Sequence, residues 1–267
     1  MISSLGVVSS RVALDALDAG AIDVLAKPGG PQSVGDLRLS LASKIRAAKA
    51  ARLRPPGAPK AVIPAEPLVR RLPGQAFPAS SVIAIGASTG GTEAIQKVLV
   101  EFPENAPGIV ITQHIPAVFS RSFANRLNDL CAIRVREAQD GDKLEPGLAL
   151  IAPGNFHMLL KRSAAGYNVE IKDGPLVCYQ RPAVDVLFHS VALAAGANAT
   201  GAILTGMGSD GAQGMLAMKK AGARTIAQDE ASCVVFGMPK EAIRHGAVDR
   251  VLPLPAIAGA VLAEARR

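Results

Sequence analysis

Three polar residues each stand just past an apolar run: Ser88 after VIAI (82–85), His114 after GIVIT (108–112) and Asp210 after GAIL (201–204). A serine hydroxyl is a weak nucleophile until a base takes its proton, and a histidine base works best when a carboxylate holds its tautomer. Serine, histidine and acid brought to one place would therefore suit acyl transfer. The order Ser…His…Asp differs from that of α/β-hydrolases, chymotrypsin and subtilisin, which argues against those folds but not against the geometry. Gly86-Ala-Ser88-Thr-Gly90 also fits the G-x-S-x-G form of a nucleophile elbow, whose glycines let a strained turn bring backbone against backbone. Each residue has a plainer reading. Ser88 or Thr89 could cap a helix or the glycines cradle a phosphate, Asp210 could be an N-cap, and His114 could be a structural histidine. His157, after APGNF, is the rival base; its place at the start of a hairpin favours His114. His189 and His245 read as structural.

The elements that must position these residues are strand–loop–helix units. Apolar runs alternate with helical periodicity from Pro78 onward, which predicts an α/β, doubly wound, mainly parallel sheet. In such a sheet the loops leave the carboxyl ends of the strands, where sites gather. Predicted strands are 82–85, 108–112, 149–152, 157–161, 167–171, 200–204, 224–227 and 248–251. Predicted helices are 92–102, 117–130, 184–195, 212–221, a short one from Pro239, and 255–265. Residues 133–172, rich in Pro-Gly and Asp-Gly turns, read as a β-hairpin insertion on the sheet edge.

Composition narrows the classes. Of 267 residues 49% are hydrophobic but only 3% aromatic, so the core is expected to be Ala, Val, Leu and Ile, as in buried parallel sheets. No uncharged apolar run reaches the roughly 18 residues a membrane span needs, and no basic n-region opens the chain. Cys131, Cys178 and Cys233 lack paired spacing and read as buried, reduced thiols, so a cytoplasmic location is expected. No two histidines have ligand spacing, and neither a metal nor a cofactor is expected. The net charge of +7 is uneven: residues 1–78 hold 11 Lys+Arg against 5 Asp+Glu. That basic stretch reads as solvated charge, with no nucleic-acid partner expected.

Residues 1–52 read as strand, helix, strand, helix. The first helix would bury Val12, Ala13, Ala16 and Leu17, and the second, from Ser33, would turn Leu37, Leu41, Ile45 and Ala48 to one face. Residues 53–78 hold seven prolines and read as an extended linker. The expected organisation is thus a partial α/β segment (1–52), a linker (53–78) and a main domain (79–267).

Two resemblances follow. Met1-Ile2-Ser3-Ser4, Ala16 to Asp23 and Lys27-Pro28 resemble the C-terminal part of a response-regulator receiver domain, with Ser3 at the switch hydroxyl and Lys27 at the active-site lysine. That family's phosphoacceptor and acidic pair lie upstream of the matched part. The expectation is a truncated or vestigial segment that cannot be phosphorylated, although the family is served by a phosphodonor histidine kinase, and an activity that ignores phosphodonors. IGASTGGTEAI (85–95), ITQHIP (111–116), IAPGNFHMLL (151–160), RPAVDVLFHSVA (181–192) and LTGMGSDGAQGM (204–215) resemble the catalytic domain of the CheB family of chemotaxis protein-glutamate methylesterases. The resemblance implies Ser88 as nucleophile, His114 as base and Asp210 as orienting acid. It also implies methylated chemoreceptor helices as substrate, methanol as product and a second, glutamine-deamidating activity. In that setting the backbone N–H groups of Thr89 and Met207 are candidate oxyanion donors, and Arg181 and Asp185 candidate groove residues. Two other classes remain at this point: a nucleotide-binding domain using GASTGG, and a catalytically silent scaffold.

Overall fold

In the computed structural model, the described residues are 1–3, 12–13, 15–17, 19–27, 41–42, 44–51 and 77–266. The helix start at Ser33, Leu37 and nearly all of the linker lie outside them.

The main sheet holds seven parallel strands in the order β12-β11-β10-β3-β4-β7-β5. At its centre are β3 (Val82–Ala87), β4 (Gly108–Gln113) and β10 (Ala199–Ile203). Toward one edge lie β11 (Arg224–Gln228) and β12 (Arg250–Leu252), and toward the other β7 (Leu148–Ile151) and β5 (Arg134–Glu137). Every residue of β3 and β4 is buried, as a sheet covered on both faces requires. Alternation then divides them. Ile83, Ile85, Ala87, Ile109 and Ile111 pack under α1 (Gly91–Leu99), α2 (Ala117–Leu130) and α6 (Leu254–Glu264). Val82, Ala84, Val110 and Ile203 pack under α3 (Val184–Ala194), α4 (Ala212–Lys220) and α5 (Met238–Arg244). The expected doubly wound, mainly parallel architecture is what the chain adopts.

The expected edge insertion is only half right. Within 133–172, β5 and β7 belong to the main sheet, with β7 paired between β4 and β5. A separate antiparallel sheet carries the rest, in the order β6-β9-β8, from Lys143–Leu144, Gly166–Lys172 and His157–Ser163. The four residues RVRE of β5 alternate charge with a single apolar side chain, and only Val135 among them is buried. A strand with so little apolar content is legible only once its partner is known.

Near the amino terminus β1 (Ile2–Ser3) pairs parallel with β2 (Leu25–Ala26). Residues 12–13 and 15–17 are helical, and Ala13 and Val24 close over Phe119 of α2 together with Leu17 and Ile115. Two expected faces need correcting. Val12 is exposed while Ala13 is buried, and in the second helix Ala47 is buried while Ile45 and Ala48 are exposed.

Gly86 shows why a strand beneath α3 carries a glycine. A Cβ there would lie 2.3 Å from Val184 Cγ1 and 3.1 Å from Phe188 Cζ. Gly86→Ala is expected to destabilise the fold by about 1–3 kcal/mol through overpacking. Adding Val184→Ala should relieve part of that loss, because the two sites share one space. Urea unfolding of the two single variants and the double variant measures this.

Candidate active site

The three candidate residues leave three adjacent strands. Ala87 of β3 is in register with Gln113 of β4, and Gly86 with Ile203 of β10. Ser88 and His114 are each the next residue, so the pairing alone sets them side by side. Hydrogen bonds past the strand ends continue the ladder: His114 N–H donates to Ala87 O at 3.1 Å and Ser88 N–H to Thr205 O at 3.0 Å. Asp210 arrives on the loop after β10, whose Gly206 lies so close that a Cβ there would be 2.7 Å from Ser88 Cβ.

Ser88 sits on a turn of ordinary strain. Among the described non-glycine residues only Asn155, Cys178 and Tyr179 have positive φ, so the strained-elbow expectation does not hold. The glycines serve otherwise: Gly86 admits Val184, and Gly90, at φ 78°, is the left-handed N-cap of α1.

His114 and Asp210 form a buried pair, with Nε2 and Oδ2 2.7 Å apart and each side chain 3% exposed. A carboxylate only accepts, so in the neutral ring Nε2 carries the proton and Nδ1 the lone pair. Nδ1 is buried and has no partner. The ring is thus used in the opposite sense to chymotrypsin, where Nδ1 faces the acid. Ser88 and His114 line one cavity. No hydrogen bond joins them in this state, as is common before substrate binds.

His157, the rival base, has neither nitrogen free. Nε2 lies 2.9 Å from Pro175 O and Nδ1 accepts from Ala183 N–H at 3.3 Å. It ties the antiparallel sheet to the start of α3. His189 and His245 each bond a backbone carbonyl of their own helix through Nδ1.

Asp210 meets the plain N-cap reading in an unexpected way. Its own helix, α4, has Gly211 as N-cap and no side-chain cap. Its oxygens instead accept from Val184 N–H (2.7 Å) and Asp185 N–H (2.9 Å), in the first turn of α3. The positive end of a helix thus faces the carboxylate that serves His114.

Arg181 and Asp185 do not line the cavity shared by Ser88 and His114. Arg181 bonds Asp173, the Gly174 carbonyl and Asn155 Oδ1. Its side chain thereby clasps the loop ahead of α3. Asp185 is buried, and its Oδ1 accepts from Gly214 N–H at 2.7 Å. Burial foremost, and then the neighbouring Asp210 charge, raise its pKa above the usual carboxylate value.

Cys178 is exposed, contrary to the expectation for all three cysteines; Cys233 is buried and Cys131 intermediate. Cys178 Sγ lies with Asp185 and Asp210 oxygens inside 4.8 Å, a grouping no spacing rule would find. Burial and the two carboxylates push the thiol up to about 11, and the carboxylate oxygens already accept from N–H groups. These residues read as a hydrogen-bonded junction.

Sequence reasoning missed Gln113. Its Nε2 donates to Ser88 O at 2.8 Å and to His114 O at 3.2 Å, bracing both residues at once. Thr205 similarly donates from Oγ1 to Thr89 O at 3.0 Å. Their adjacency to His114 and to the glycine loop was the available signal. The candidate oxyanion donors Thr89 N–H and Met207 N–H have no backbone acceptor among the described residues.

Residues 83–261 match the family described as CheB methylesterase. The chain belongs to the CheB methylesterase family. A protein-glutamate methylesterase/protein-glutamine glutaminase of Syntrophus aciditrophicus is 54% identical over 98% of this chain and 76% of its own length. A Salmonella choleraesuis protein of the same name is 54% identical over 99% of this chain and 74% of its own. The crystal structure of the Thermotoga maritima CheB methylesterase catalytic domain covers 70% of this chain and 99% of its own, with 37% identity and a TM-score of 0.68. Among the described residues no helix is long and apolar enough to cross a membrane.

For this CheB family member, neutral His114 is expected to be the Nε2–H tautomer. Long-range ¹⁵N–¹H correlation should find Nε2 protonated and Nδ1 imine-like. The reverse pattern would contradict the pairing with Asp210.

Proposed function

We propose that this chain is a protein-glutamate methylesterase in which Ser88 is the nucleophile, His114 the base and Asp210 the orienting acid. The observation that carries it is the His114–Asp210 pair, 2.7 Å apart and buried, with His114 just past β4 and Asp210 on the loop after β10, the two strands flanking β3 and its Ser88. His114 Nδ1 takes the Ser88 hydroxyl proton as Oγ attacks the side-chain ester carbonyl of a methylated glutamate on a chemoreceptor helix. The tetrahedral oxyanion accepts from Thr89 N–H and Met207 N–H. As the ester bond breaks, Nδ1 returns the proton to methoxide and methanol leaves. Water, deprotonated by the same nitrogen, then cleaves the acyl-enzyme to free glutamate. A glutamine amide would present the same oxyanion and release ammonia, which suits the glutaminase half of the relatives' names.

Residues 79–267 are proposed as the catalytic unit and residues 1–52 as a receiver-like cover, joined by the linker 53–78, in a cytoplasmic protein. Asp23 supports the covering role. Its Oδ2 accepts from Thr89 Oγ1 at 2.8 Å and from Lys44 Nζ at 2.5 Å, and Asp23, Leu17 and Val24 line the cavity containing Ser88 and His114. The Asp23 carboxylate thus occupies the neighbourhood where a product carboxylate would form.

The full chain should release methanol from methylated receptor membranes. Ser88→Ala should lower the rate by at least about 10³-fold, whereas His157→Ala should keep activity per folded molecule within a few fold. Activity surviving Ser88→Ala but lost with His157→Ala would refute the assignment. Asp23→Ala should raise kcat/KM several-fold by freeing Thr89. An unchanged rate would refute the covering role.

A further inference from the structure

Asp210 and Asp185 exchange helix ends. Asp210 precedes α4 yet accepts from the first two N–H groups of α3, at 2.7 and 2.9 Å. Asp185, in the first turn of α3, accepts at 2.7 Å from Gly214 N–H in the first turn of α4. Neither helix has a side-chain cap from its own N-cap residue, Ala183 or Gly211. Each carboxylate therefore satisfies the orphan donors of the other helix.

The exchange needs the helix ends to touch. A Cβ at Gly214 would lie 2.6 Å from Phe188 Cβ and 2.9 Å from Asp185 O, and one at Gly211 would lie 2.7 Å from Val184 Cγ1. The contact is rigid on the sheet side, where Val184, Leu187 and Phe188 are fully buried. Asp210 has one oxygen bound to His114, and its angle to the imidazole depends on where α3 and α4 meet. Val184 and Phe188 pack against that junction, and Asp185 adds a side-chain hydrogen bond from α3 to the backbone of α4.

We propose that Asp185 is a positioning residue for the triad: by clamping the first turn of α4 to the first turn of α3, it holds the Asp210 carboxylate in line with His114 Nε2. The proposal rests on the triad reading above and assigns a reason for an acid whose burial is otherwise unfavourable. Asp185 touches neither Ser88 nor the cavity of the reacting atoms, so its effect should fall on the chemical step and leave substrate binding alone.

The test compares full-length wild type, Asp185→Ala and Asp185→Asn, with kcat normalised to the folded fraction from thermal unfolding. The proton shared by His114 and Asp210 is followed by its far-downfield ¹H resonance, which 3% exposure of both side chains should protect from exchange. Asp185→Ala is expected to lower kcat about 10- to 100-fold with KM within about two-fold, the size of effect a misplacement near 1 Å produces. Its downfield resonance should move or vanish. Asp185→Asn keeps an acceptor for Gly214 N–H and should restore most of kcat and the resonance. Folded Asp185→Ala with wild-type kcat and an unmoved resonance overturns the proposal. So does Asp185→Asn as impaired as Asp185→Ala with the resonance intact in both, since charge and not geometry would then be the cause. A wild type without the resonance whose activity survives Ser88→Ala overturns the triad itself, and is told apart from failure of the positioning claim by that second result.

Discussion

The in-register parallel pairing of β10, β3 and β4 is the constraint on which the site depends. Once Ala87 faces Gln113 and Gly86 faces Ile203, Ser88 and His114 emerge from neighbouring strands with no further choice of conformation. A one-residue slip in either ladder would exchange the faces of every side chain on the slipped strand. The period-two division of Ile83, Ile85 and Ala87 from Val82 and Ala84 opposes such a slip, because each set fits a different layer of helices. Core packing and catalytic geometry are therefore one specification.

Electrostatics completes what the sheet begins. Asp210 is almost fully buried, and an unsupported carboxylate there would be costly. Its three donors are His114 Nε2–H and the first two N–H groups of α3. This support is fixed before any substrate arrives, and it sets the imidazole tautomer that leaves Nδ1 free. Gln113, next to His114 on β4, and Thr205, just past β10, hold the backbone carbonyls of Ser88 and Thr89, so the nucleophile is framed by side chains that do no chemistry themselves.

Features that depend on local pattern were legible. Continuous apolar runs marked β3, β4 and β10, and a polar residue just past each run marked the site. The helix expected over 117–130 matches α2 at both ends. What was not legible depends on partners distant in sequence. RVRE becomes a strand only beside β7, and Asp185 resembles a first-turn acid until α4 is placed against it. His157 was a fair rival to His114 by position. Only Pro175 O and the Ala183 N–H, brought from elsewhere, occupy both its nitrogens. Side-chain size misled in the same manner: Val12 and Ile45 suit a core but are exposed, while Ala47, outside the expected face, is buried.

The central claim is that strand ends from one parallel sheet assemble an activated serine at residue 88. It is tested most directly by treating the full chain with a fluorophosphonate and mapping the adduct by peptide mass spectrometry, alongside Asp210→Asn. The account predicts a single adduct on the peptide containing Ser88, formed much more slowly in the variant because His114 would lose its tautomer partner. An unmodified chain, an adduct on another residue, or labelling indifferent to Asp210 would contradict it.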